Sequence, residues 1–241
     1  MINKIYKIIE IKISQRQATK KYQKVIEQIR QNGFWFVDIP RTSSTSIKVE
    51  LGNYYGSLYG KNTVLEDEYN YQEKSYFNNH LTARQMKGKL PKGLWDELFT
   101  FSLVRNPWDR MVSLYFYRQK TGELSEKISF EEYINQLKSP RYNRIGSIHS
   151  FYGYYYGNCE YILDGKDNII VDFVGKYEER ESAIKIIAEK INYPSLGKLK
   201  LQQAKSKDLH YSKLYNHETK KLVEEVFKKD IEMFAYEFED L

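Results

Sequence analysis

Cysteine is almost missing from this chain of 241 residues: Cys159 stands alone, which excludes an intrachain disulfide and an all-cysteine metal site and fits a reducing compartment. Long apolar runs are missing too. No segment approaches the roughly 18 apolar residues of a membrane span. The opening MINKIYKIIEIKIS breaks its apolar positions with Lys and Glu, so it lacks the continuous core of a signal peptide. A soluble, cytoplasmic protein is the expectation. There is no internal repeat, low-complexity tract or linker, and no dense basic stripe. The net charge of +6 comes from residues 1–50, which hold 10 Lys/Arg against 4 Asp/Glu, while the remainder is balanced at 28 against 28. That excess could draw polyanions, but lysines on the wet face of an amphipathic helix account for it, and no nucleic-acid partner is expected.

What is present suits one compact unit. Hydrophobic content of 41% and charge of 29% are globular values, and the length fits a single domain over 1–241, with residues 1–33 as an N-terminal helical extension. Aromatic content is high, with 22 Tyr. It provides amphipathic surface for planar or sugar ligands.

The chain is organised around FWFVDIPRTSSTSIK, Phe34 to Lys48. Phe34 to Ile39 reads as a short buried strand, Pro40 ends it, and Arg41, Thr42, Ser43, Ser44, Thr45 and Ser46 lead into a helix. Unpaired first-turn amides, the positive end of a helix dipole and several hydroxyls together make an anion site. An ordinary cap needs one hydroxyl; five in a row point to phosphate. The helix should reach about Leu51, with Gly52-Asn53 ending it.

Elsewhere, Ile2 to Ile13 is readable as an edge strand or a helix, and Ser14 to Gln31 as a helix stopped by Asn32-Gly33. Asn53 to Asn79 and Pro140 to Gly157 read as long, tyrosine-rich loops beside a site. Leu98 to Val104, LFTFSLV, has no charge and should be a central strand. It ends on Arg105, after which Asn106, Pro107 and Asp109 suit the start of a helix running to Gly122. Phe130 to Leu137 reads as helix, Asn168 to Val174 as a third strand, and Glu178 to Ile191 as helix. Asn216 caps a last helix through Lys229, and IEMFAYEF offers apolar anchors. Strands alternating with helices predict an α/β fold, P-loop-like and three-layered, with a mostly parallel central sheet flanked by helices. Ligands bind beyond the carboxyl ends of such strands, where both cation-bearing turns lie.

Two anion turns on one sheet imply a nucleotide with phosphates at two places. A conventional ATP or GTP site is disfavoured: no Gly opens the loop, Arg41 stands where lysine is expected, and no clear second Asp is available for magnesium. VDIPRTSSTSIK resembles the 5′-phosphosulfate loop of the sulfotransferases, and VRNPWDRMVSLYFY resembles their 3′-phosphate motif, in which an arginine closes a strand and a serine follows eight positions later. YILDGKDNIIVDFVGKYEE and LYNHETKKLVEEVFKKDIEMFAYEF are similar to the closing segments of the carbohydrate-type members, so the likeness spans roughly Phe34 to Phe238.

The resemblance implies 3′-phosphoadenosine 5′-phosphosulfate (PAPS) as donor, 3′-phosphoadenosine 5′-phosphate (PAP) as product, and an acceptor hydroxyl or amine; it leans toward a carbohydrate, with lipid, peptide and small-molecule hydroxyls open. By position, Arg41 to Ser46 would hold the 5′-phosphosulfate and Arg105 with Ser113 the 3′-phosphate, with Lys205 and Ser206 as further contacts. Arg41 would also act catalytically on the leaving phosphate, and no metal is required. His80, between the two motifs, is the expected base, with Glu66, Glu68 or Glu73 as alternatives. Two departures stand out: the usual loop lysine is Arg41, a rigid fork that cannot give up a proton, and Ala204 replaces a frequent Asn. An ATP-dependent phosphotransferase and a catalytically idle polyanion-binding module are the competing readings. The tyrosines at 152 and 154–156 could stack on a sugar or pack on neighbouring loops. Nothing in the sequence fixes the oligomeric state.

Overall fold

A computed structural model describes residues 20, 22–55, 80–139, 157–197 and 210–240 of the chain. Three short strands, β1 (Phe34–Val37), β2 (Phe99–Val104) and β3 (Phe173–Lys176), form a sheet in the order β1-β2-β3, parallel at both junctions. β2 is central, as its uncharged run predicts. The register sets Phe34 opposite Phe99 and Phe36 opposite Phe101, which puts four phenylalanines on one face. Their rings lie 5.2 Å (Phe36–Phe101), 5.6 Å (Phe99–Phe101) and 6.0 Å (Phe34–Phe101) apart at the centroids, the spacing of favourable aromatic pairs.

The third strand starts later than NIIVDFV suggests. Ile169 only bridges Leu163 in an isolated antiparallel contact, and the ladder begins with Phe101 opposite Phe173. The reason is Asp172, whose carboxylate accepts from the Thr100 amide and hydroxyl, both at 2.7 Å, and so ties down the strand entry with a side chain.

Residues 22–32 form helix α1, closed by Gly33 in the left-handed region (φ 70°) with its amide donating to Ile29 O. Helix α2 (Ser44–Tyr55) runs past Gly52, where an end was expected. A helix-interior glycine costs only about 0.5–1 kcal/mol, less than the fully buried Ile47 and Leu51 return by packing in the core. Helices α3 (Ala83–Lys89) and α4 (Leu94–Glu97) precede β2. Helix α5 (Pro107–Lys120) starts as predicted: Asn106 Oδ1 accepts from the Trp108 amide at 3.0 Å and Pro107 takes the first position. Helix α6 (Phe130–Asn135), a 3-10 turn (Gln136–Lys138) and α7 (Asn158–Ile162) lead to β3, and α8 (Arg180–Lys190) packs on that strand.

After a 3-10 turn (Tyr211–Leu214), the closing helix is two pieces, α9 (His217–Val226) and α10 (Lys228–Phe234), broken at the buried Phe227. The break lets α10 bring Asp230 to the start of α7. There its carboxylate accepts from the amides of Asn158 (2.5 Å) and Cys159 (2.8 Å) and from Asn158 Nδ2 (2.8 Å). Tyr236 and Phe238 then dock as the apolar ending predicts: Phe238 meets Trp108, Tyr211 and Tyr215 edge-on, at 5.3–5.5 Å. Among the described residues no helix is long and apolar enough to cross a membrane.

α8 approaches β3 closely because Gly175 carries no side chain. A Cβ there would lie 2.6 Å from Ala183 Cβ and 2.7 Å from Leu103 Cδ2. Gly175→Val should therefore force strand and helix apart and lower the unfolding free energy by about 1–3 kcal/mol, read from urea denaturation; an unchanged midpoint would refute this account of the packing.

Candidate functional site

The site is built at the carboxyl ends of β1 and β2. After β1 the backbone makes a tight turn in which Arg41 and Ser43 both adopt left-handed conformations (φ 69° each) around Thr42. Non-glycine residues hold such angles at a cost of about 1–3 kcal/mol each, and alternating left-handed residues are the backbone pattern of anion-binding nests. The five hydroxyls divide their labour. Thr42 is buried and donates to Ile39 O at 2.9 Å, so it braces the turn. Ser46 donates back to Ser43 O at 2.9 Å, Ser44 is buried, and Ser43 and Thr45 retain exposure. No acidic residue occupies the first turn of α2, so its amide-rich end is left positive.

The turn after β2 carries Arg105, which is buried and heavily positioned. Its Nε donates to Asp109 at 2.7 Å, its Nη1 donates to Arg41 O at 2.9 Å, and its guanidinium lies 4.2 Å from the centre of the Tyr177 ring. A guanidinium has five N–H donors, so those two bonds leave three for an anion. Behind it, Asn158 bonds both backbone groups of Arg105, accepting from its amide at 3.3 Å and donating to its carbonyl at 2.9 Å, and Asn158 is itself held by Asp230. Asn106 is clamped as well. Its amide donates to Glu178 at 2.7 Å and its side chain to Glu237 O at 2.9 Å. Burial pushes the Glu178 carboxyl above its usual range, opposed by the Asn106 amide and the Tyr236 hydroxyl.

Three hydrogen bonds join the two turns. Besides Arg105 to Arg41 O, Arg110 Nε donates to Pro40 O at 3.0 Å, and Arg41 Nε donates to Ser113 Oγ at 3.1 Å. Arg41 is further steadied by Tyr117, whose ring centre lies 4.5 Å from its guanidinium carbon. The structure therefore brings Arg41, Ser43, Arg105 and Ser113 to one place. Sequence reasoning missed Arg180, which opens α8 and donates from Nε to Ser43 Oγ at 3.0 Å. It follows the carboxyl end of β3, so the same search for cations at strand ends that found Arg105 would have found it.

His80 lies beside Asp38, the residue that follows β1, in a left-handed conformation (φ 63°). Its Nδ1 sits 3.1 Å from both the carboxylate and the carbonyl of Asp38, and Lys48 Nζ lies 2.5 Å from that carboxylate. Burial alone would lift the Asp38 carboxyl, but Lys48 and His80 beside it hold it well below the usual carboxylate range, so it is ionised at neutral pH. Asp38 and Lys48 were read from the sequence only as strand end and helix. The alternative bases Glu66, Glu68 and Glu73, the contacts Lys205 and Ser206, and the tyrosines at 152 and 154–156 lie outside the described residues. No group of three or more His, Cys, Asp or Glu side chains arranged to hold a metal ion occurs among the described residues.

The profile of the sulfotransferase family matches residues 28–237, which includes both turns, β3 and the closing helices. An uncharacterized protein of Archaeoglobus fulgidus is 30% identical over 114 residues, covering 47% of this chain and 84% of the relative. No solved structure is significantly similar. With a match over most of its length and a parallel sheet whose strand ends gather three arginines around a hydroxyl-rich turn, this chain belongs to the sulfotransferase family, whose chemistry is sulfuryl transfer.

Proposed function

We propose that the chain transfers the sulfuryl group of PAPS to an acceptor hydroxyl, with His80 as the base. One observation carries the reading: the hydroxyl turn after β1 and the arginine turn after β2 are in direct contact, Arg41 to Ser113 at 3.1 Å and Arg105 to Arg41 O at 2.9 Å. Two anion-catching turns one side chain apart suit a nucleotide with phosphates on both the 3′ and 5′ positions. The donor set fits that group: arginine forks and hydroxyls bind phosphate and sulfate oxygens with charge-assisted hydrogen bonds, and the start of α2 adds its amides.

When bound, the donor supplies the sulfuryl group, whose bond to the 5′-phosphate oxygen breaks as the acceptor oxygen bonds to sulfur, the bridging oxygen keeping the electron pair. Arg41, Ser43 and Arg180 would hold the phosphosulfate end, with Ser44, Thr45 and Ser46 contributing helix-start amides. Arg105 and Ser113 would hold the 3′-phosphate, and Lys205 with Ser206 would add contacts from the loop near the C-terminal third. By analogy with phosphoryl transfer, whose transition state is loose, most of the work is positioning and charge stabilisation. Arg41 stabilises charge on the leaving phosphate and does not protonate it, because a guanidinium remains charged throughout. His80 takes the acceptor proton. A carbohydrate hydroxyl is the proposed acceptor, on the likeness of the closing segments to carbohydrate-type sulfotransferases.

Arg105→Ala should weaken PAP binding by about 1.5–3 kcal/mol, roughly 10- to 150-fold by calorimetry, because it removes a charge-assisted contact. A folded wild-type protein that fails to bind PAP at all would end the reading. Arg180→Ala should weaken PAPS more than PAP, since Arg180 is assigned to the sulfated end; equal losses would reassign it. His80→Gln should leave PAP binding intact and cut turnover with a radiolabelled sulfuryl donor by about 10² or more, whereas undiminished turnover would remove His80 from the role.

A further inference from the structure

The contact between His80 and Asp38 is more specific than an ion pair. Nδ1 of His80 faces two oxygens of one residue, the carboxylate Oδ2 and the backbone carbonyl of Asp38, each at 3.1 Å. Both are acceptors. An imidazole nitrogen between two acceptors carries the hydrogen, and in the neutral ring the lone pair is then on Nε2. The arrangement is held against a local cost, since His80 keeps a left-handed backbone that non-glycine residues adopt only where the surroundings impose it. Asp38 in turn is fixed from two sides: it is the residue after β1, three before Arg41, and its carboxylate also takes Lys48 Nζ from α2 at 2.5 Å. The strand that launches the anion-binding turn therefore also orients the imidazole.

We infer that Asp38 is a positioning residue for sulfuryl transfer: it locks His80 as the Nδ1–H tautomer, so that Nε2 receives the acceptor proton, and its carboxylate faces the imidazolium that results. This rests on the reading of His80 as the base. The step balances: the acceptor O–H bond breaks, its proton goes to Nε2, its oxygen bonds to sulfur, and the electron pair of the broken S–O bond stays on the 5′-phosphate. Lys48 shares the carboxylate with His80, which keeps Asp38 from taking the proton itself. A merely structural trio of Asp38, Lys48 and His80 would fix the same tautomer but leave turnover unchanged when the carboxylate is removed.

Nitrogen-15 NMR of histidine-labelled protein, followed across a pH series, reads the tautomer directly, with His80 assigned by its loss in His80→Gln. The native protein should show the Nδ1–H form. Asp38→Asn should shift the ring toward the Nε2–H form and lower kcat by about 10²–10⁴-fold, as removal of an orienting carboxylate does elsewhere, with KM for the donor and PAP affinity unchanged. An Nε2–H ring in the native protein, or native kcat in a folded Asp38→Asn variant, overturns the inference. Should Asp38→Asn not fold, Asp38→Glu, which keeps the charge but moves it off Nδ1, takes its place: a comparable loss of kcat is expected, and native kcat overturns the inference. Absence of sulfuryl transfer by the native protein would instead defeat the proposed function, and the tautomer would still report on Asp38 and His80 separately.

Discussion

The joint between the two strand-end turns depends on arginine side chains satisfying backbone carbonyls that a left-handed loop leaves outside regular structure. Arg110 donates to Pro40 O and Arg105 to Arg41 O, while Arg41 reaches the other way to Ser113. The two left-handed residues between β1 and α2 are thus held from outside the turn, Arg41 by Arg105 and by Ser113 on α5 and Ser43 by Arg180 on α8, which is how local strain persists in a folded chain. The same bonds fix the spacing of the two cationic patches. A parallel sheet supplies the geometry at little further cost, because adjacent strands running the same way end on the same edge.

Charge is arranged in pairs around this joint. Arg105 is balanced by Asp109, and the buried Asp38 by Lys48, with His80 on its other side. Buried ions need partners to be tolerated at all, so the acidic residues at the site belong with its cations. Arg41 and Arg180, by contrast, meet hydroxyls and an aromatic ring in the contacts described above.

Much of this was legible in the sequence, and for identifiable reasons. β1, β2 and the start of α5 were readable because apolar runs, Pro40, and the Asn106-Pro107 pair act locally. Arg105 and Ser113 came together only through the resemblance of VRNPWDRMVSLYFY to the family's 3′-phosphate motif, and in the fold each bonds Arg41. Asp172 was not readable, since its carboxylate takes the Thr100 amide that a longer ladder would use while its own amide still reaches Thr100 O, an exchange that hydropathy cannot register. The break at Phe227 was hidden for a similar reason: periodicity continues through it, and only the demand of Asn158 and Cys159 for a carboxylate from α10 turns the chain. Asp38 looked like a strand end because its partners are 10 and 42 positions away. Arg180 was legible in principle, at the third strand end.

The clamp on Asn106 has a consequence for how the protein is made. Its side chain bonds the carbonyl of Glu237, 131 residues later, and Asp230 reaches the Arg105 backbone through Asn158. Contacts of such sequence separation form late, because the intervening chain must first be ordered. On the ribosome, β1, β2 and α5 emerge long before the residues that brace them, so the anion-binding edge stays unfinished until residues 230–237 have been synthesised. A nascent chain would thus acquire its affinity for nucleotide abruptly, once those residues are free to dock.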